Sequence, residues 1–183
     1  MNIRLNLAKI YVPFWIQKKK LRELFALTAQ AFQSEEPTLQ GLSRKEFLEK
    51  YAFFTKENAE KLLDSKEKTK ILQDQLYQKA FQMGCDLRKE LRISSSEEFM
   101  AAARILYHLI GIDFHGKKTG QITIHKCYFS QFYSEDICKI ISSLDRGILA
   151  GLSGGMGKLE FLDRLTSGAE CCRAVFHFGD GTV

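Results

Sequence analysis

The chain has 183 residues, 45% of them hydrophobic and 27% charged, with a formal net charge of +5. This is ordinary globular composition, enough for one domain with a real core or a domain plus a helical extension. No apolar run approaches the ~20 residues that cross a bilayer, and Lys18, Lys19 and Lys20 follow the short stretch 10–16 where a secretory leader would place its charge first, so a cytoplasmic location is expected.

The first ninety or so residues read as helices. Phe14, Ile16, Leu21, Leu24, Phe25, Leu27 and Phe32 recur at helical spacing and predict an amphipathic helix ending near Pro37. Ser43 followed by Glu46 is a capping-box pattern and opens a short helix through about Tyr51, with Thr55 capping another. Residues 66–92 predict a longer helix with Ile71, Leu72, Leu76, Ala80, Met83 and Leu87 on one side. Ser95 with Glu98 then starts a strongly apolar helix through Leu109.

The period changes after Leu109. Residues 112–114 and 121–129 flank a Gly-bounded turn and read as a hairpin, with Ile122, Ile124 and Lys126 on one face and Thr123, His125 and Cys127 on the other. Residues 134–149 return to helical spacing, and the glycine-rich stretch 151–157 breaks that helix. Residues 158–165 and 171–178 suggest a second hairpin. The fold class expected is α+β, with N-terminal helices packed on a C-terminal antiparallel sheet domain. Residues 1–93 form the helical region and 94–183 the small-molecule-binding or catalytic region, together one compact unit.

Basic residues alternate with acidic ones, as in Arg44-Lys45-Glu46, and form no stripe with interleaved aromatics, so no nucleic-acid partner is expected. The tight cluster of Lys18, Lys19, Lys20 and Arg22 beside Phe14 and Trp15 suits a membrane surface or an acidic partner. Gly157-Lys158 lacks the following Ser or Thr and the helix of a phosphate loop, leaving the glycine stretch as a turned loop or a lid.

Five cysteines in a reducing compartment do not suggest a disulfide framework. Cys85 reads as a small core residue. His125, Cys127, Cys138 and Cys172, with Glu160 or Asp163, supply ligand types that zinc accepts, although no CxxC pair specifies a metal site. Equally, one thiolate would serve as nucleophile with His125 or His115 as base and Asp145 as orienter. Cys171 and Cys172 are adjacent, so only one can face a given side of a strand.

Cys127-Tyr128-Phe129, Cys138 eleven residues on and Asp145 seven further, together with the segment from Arg164 through Gly168 and Cys172 to Phe176, resemble the C-terminal half of the L-2-amino-thiazoline-4-carboxylic acid hydrolase family. The resemblance implies hydrolytic opening of a C–N bond in a small thiazoline carboxylate. Cys127, Cys138, Asp145 and Cys172 would be the transferred positions, with His125 close by and Arg164 or Arg173 pairing with a substrate carboxylate. The Gly168 to Cys172 ending also resembles the 4-vinyl-reductase-type domain, a small-molecule sensor module that can hold a structural zinc. Glu160 matches that family's glutamate, but Asp163 and Arg164 stand where it has a cysteine.

The leading expectation is a hydrolase-like protein. The alternative is a non-enzymatic ligand-binding or regulatory module, compatible with zinc but requiring no cofactor. The third reading, an interaction protein, expects no pocket and a homo-oligomer contact through the N-terminal helices.

Overall fold

The computed structural model describes residues 2–179. In chain order the elements are α1 (Ile3–Ile10), α2 (Phe14–Ala31), α3 (Arg44–Glu60), α4 (Lys66–Leu91), α5 (Ser96–Leu109), β1 (Ile112–Gly116), β2 (Gln121–Cys127), α6 (Glu135–Leu152), β3 (Gly157–Asp163) and β4 (Cys172–Phe178). Short 3-10 turns lie at Tyr128–Gln131 and Leu165–Ser167. Helices first and an antiparallel sheet afterwards make this the expected α+β fold.

Capping chemistry sets the helix starts. The Ser43 hydroxyl accepts from the Glu46 amide, and the Glu46 carboxylate accepts from the Ser43 amide at 2.8 Å. At α5 the Ser95 hydroxyl accepts from the Glu98 amide, but the Glu98 carboxylate reaches one residue further back, to the Ser94 amide and hydroxyl. One expectation fails here. Helix α3 runs unbroken through Thr55, which caps nothing. Its buried hydroxyl donates back to the Tyr51 carbonyl, the way a threonine is satisfied inside a helix. The glycine-rich stretch does end α6, whose last two residues are Gly151 and Leu152.

That glycine has a packing role. A Cβ on Gly151 would sit 2.1 Å from the Phe81 carbonyl, and one on Gly147 would sit 2.3 Å from the Tyr77 carbonyl. Helices α4 and α6 therefore approach backbone to backbone, which only residues without side chains permit.

The two hairpins join through β2 and β4, giving the strand order β1-β2-β4-β3 with every pairing antiparallel. Alternation puts Phe114, Ile122, Ile124, Leu159, Ala174 and Phe176 on the buried face. That face meets α5 and α6: Phe99 lies 4.7 Å from Phe176, and Tyr107 stacks on Phe114 at 4.9 Å. The other face carries exposed His115, His125, Glu160, Arg173 and His177. One cluster of buried residues runs from Leu5 to Phe176, spanning both regions expected from the sequence. Among the described residues no helix is long and apolar enough to cross a membrane.

Candidate ligand-binding site

Strand β2 does not alternate throughout. Phe114 pairs with Ile124 and Ile112 with Cys127, so one step of two residues in β1 faces a step of three in β2. The extra residue is a β-bulge at His125 and Lys126. It shifts the phase of the strand, turning Cys127 to the inner side while His125 and Lys126 stay exposed. His125 therefore does not share a face with Cys127, contrary to the expectation from strict alternation.

The remaining polar groups arrive from other elements. Cys138, Ser142 and Asp145 follow i, i+4, i+7 spacing and form one stripe of α6. Cys172 opens β4 facing inward and is buried, whereas Cys171 lies just before the strand and is partly exposed. Tyr51, Tyr107 and Tyr133 come from α3, α5 and the loop before α6. Thr166 comes from the turn between β3 and β4.

These groups border one internal cavity of about 90 Å³. Hydrocarbon from Leu24, Leu109, Ile112, Ile141, Leu144 and Ile148 forms most of its wall. The space suits a few waters or a small organic molecule. Each tyrosine hydroxyl at the wall has a partner: Thr28 for Tyr51 at 3.0 Å, Thr55 for Tyr133, and Asp145 for Tyr107 at 2.8 Å. The Thr166 hydroxyl is buried without a partner among the described residues.

Burial dominates the electrostatics. Asp145 is half-buried and lines the cavity. Desolvation lifts its carboxyl from 3.8 to about 6, against the hydrogen bond from Tyr107 and the fields of Arg164 and Arg146. Desolvation likewise pushes the Cys127 thiol up to about 12, although amides at Phe129 and Ser130 favour the thiolate. The Cys172 thiol is also raised by burial, while its sulfur accepts from the Leu165 amide at 3.3 Å. Cys127, Cys138, Asp145 and Cys172 all line the one cavity, which places these groups around one centre.

Arg164 stands behind this wall. It is buried, lies 4.0 Å over the Phe161 ring, and donates to the Ser142 hydroxyl at 3.1 Å and the Cys138 sulfur at 3.6 Å. Arg173 is corrected outright: it sits exposed on the outer sheet face and pairs with Asp163. His115 is exposed on that face beside Asp113, its ring 5.9 Å from His125, so neither histidine reaches the thiols. Glu160 pairs there with His177 at 3.2 Å. The glycine-rich stretch forms no lid, since Gly154 and Gly155 lie against Arg88 and Phe81, away from the cavity.

His125, Glu160 and Asp163 point to the opposite side of the sheet, and among the described residues no three His, Cys, Asp or Glu side chains have the geometry to hold a metal ion. The residues present do not fit zinc.

Reasoning from sequence missed Tyr51, Tyr107, Tyr133, Ser142 and Thr166. A readable signal existed for Ser142, a polar residue in the stripe that Cys138 and Asp145 define on an otherwise apolar helix face. None existed for Thr166 or the tyrosines, whose convergence depends on how α3, α5 and the 3-10 turn pack. No protein-family model matches the chain, and no significantly similar protein is found among curated sequences.

Proposed function

We propose that this chain is a small-molecule-binding module whose ligand is mostly apolar and carries one hydrogen-bond donor or cationic group. The observation that carries this reading is a half-buried carboxylate, Asp145, facing a cavity walled chiefly by hydrocarbon. Apolar enclosure with few convergent polar groups is the usual form of such a site. The orphaned Thr166 hydroxyl supports it, because a buried hydroxyl without a partner is costly until something supplies one.

Thermal unfolding with toluene and with benzylamine tests the proposal. Both probes fit the apolar wall, but only benzylamine offers an ammonium to Asp145. The expected result is a rise in Tm with both, larger with benzylamine. Asp145→Asn removes the difference, and Cys138→Phe, which fills the cavity, removes both effects. No rise with either probe on the folded wild-type protein sinks the proposal.

A second reading keeps the hydrolytic chemistry and rests on the contact between Arg164 and the Cys138 sulfur. Cys138 would add to the ring carbon between sulfur and nitrogen of a thiazoline carboxylate, its thiol proton passing through Asp145 to the ring nitrogen as that C–N bond breaks. A water would then add to the same carbon and displace the Cys138 thiol, releasing the ring-opened product. Cys127, its thiol held protonated by burial, is the poorer nucleophile. Incubation with L-2-amino-thiazoline-4-carboxylate and mass analysis decides: a ring-opened product that Cys138→Ser abolishes supports hydrolysis, and binding without product leaves the binding module.

A further inference from the structure

The net positive charge of this protein comes from its beginning. Six of the 27 Lys and Arg residues, and none of the 22 Asp and Glu, precede Glu23. The 161 residues from Glu23 onward hold 21 basic and 22 acidic side chains and are close to neutral. Such a charge asymmetry along a chain points to a partner for the charged segment.

The same segment exposes its apolar residues. Helix α1 is held by its other side. Leu5 is buried, the Asn2 amide donates to the Leu91 and Arg92 carbonyls, and Arg4 donates to the Glu90 carbonyl. This leaves Ile3, Leu7 and Ile10, at i, i+4, i+7 spacing, pointing outward. Tyr11, Phe14 and Trp15 continue the patch around the corner into α2, and all six side chains are 58–84% exposed. They are six of the eleven large hydrophobic residues exposed among the described residues. Leu7 and Tyr11 also share an apolar groove with Ile16, so the two helices contribute to one surface.

Cations surround it. Lys20 is committed to Glu23 and Glu90 at 3.0 Å each, and Lys19 reaches Glu23 at 3.8 Å. Lys9, Lys18 and Arg22 form no ion pair among the described residues, whereas Arg4 is taken up on the other side of α1 by the Glu90 carbonyl. A protein core patch would be apolar without this basic rim, and a nucleic-acid surface would not expose isoleucine and leucine. Aromatic and aliphatic side chains ringed by Lys and Arg match the acyl–headgroup boundary of an anionic bilayer.

We infer that the face formed by α1 and the start of α2 docks on an anionic membrane surface, with Ile3, Leu7, Ile10, Phe14 and Trp15 entering the interface and the unpaired cations meeting lipid headgroups. The docking lies in the plane of the bilayer and spans nothing. It is independent of what the internal cavity holds.

Trp15, the single tryptophan of the chain, reports on this directly. Its emission is followed as the full-length protein is titrated with vesicles of phosphatidylcholine alone and of phosphatidylcholine with phosphatidylserine, with flotation as the second readout. A blue shift and co-flotation with the phosphatidylserine vesicles, weakened by high salt, are expected. Lys18→Glu combined with Lys19→Glu should weaken binding about tenfold or more, since each basic residue near such a surface contributes substantially. Ile10→Glu, at the most exposed apolar position, should abolish the blue shift while circular dichroism stays that of the folded protein. Absence of both shift and flotation with anionic vesicles overturns the inference. So does a blue shift that grows with protein concentration in the absence of lipid alongside a dimeric mass, which would make a second copy the occupant of this face.

Discussion

Asp145 stands at about 6 in the folded protein, against an ordinary value near 3.8. A carboxyl raised by folding holds its proton more tightly in the native state, so the unfolded chain binds fewer protons between about pH 4 and 6. Stability therefore falls as pH rises through that window, the reverse of the salt-bridged carboxylate. Two units correspond to roughly 3 kcal/mol of native-state cost at neutral pH. Asp145→Asn, which still accepts from Tyr107, should recover about 2–3 kcal/mol at pH 7 and almost nothing below pH 4. Urea denaturation at the two pH values measures it, and equal gains at both would show that the carboxylate is not the source. Thr166→Val should be neutral or stabilising by about 1 kcal/mol, because the hydroxyl it removes is buried without a partner. Native-state alkylation gives a third check at this scale. With its thiol pushed up to about 12, Cys127 should react with iodoacetamide at neutral pH orders of magnitude more slowly than in the unfolded chain.

Single elements carry the next level of argument. On α6 the spacing of Cys138 and Asp145 already showed in the sequence that both share a face, and helical geometry completed the stripe with Ser142. The bulge in β2 did not show. Strict alternation pairs His125 with Cys127, and the added residue separates them because the fold needs Cys127 inside and the exposed pair outside. Glycines tell a similar story. A run of glycines after 150 reads as a helix end, and α6 does end at Leu152, but that reading did not reveal that Gly151 in its last turn lacks a side chain so that α4 and α6 can touch. Gly151→Ala should cost several kcal/mol despite alanine's better helix propensity, since a Cβ would meet the Phe81 carbonyl and the helices must separate. The measurement is the urea midpoint. A neutral or stabilising outcome would mean that the helices part freely.

Across the whole molecule α1 acts as a clasp on the C-terminal end of α4, inserting Leu5 into the core and donating side-chain hydrogen bonds to three of that end's carbonyls. Removing residues 1–11 should lower Tm by roughly 5–10 °C, from the ~2–3 kcal/mol that burying one leucine and satisfying those carbonyls supplies in a chain of this size. Calorimetry would show it, and an unchanged Tm would mean that α1 rests on the surface without stabilising it. What the sequence by itself determined is what local periodicity and capping encode: the α+β class, the helix starts at Ser43 and Ser95, the two hairpins, the face shared by Cys138 and Asp145, and the basic aromatic beginning of the chain. Tertiary structure alone decided the pairing of β2 with β4, the bulge that turns His125 and Cys127 apart, the outward place of Arg173, and the closing of three tyrosines and Thr166 around one cavity. These depend on contacts between residues far apart in the chain, and such contacts leave no local period to read.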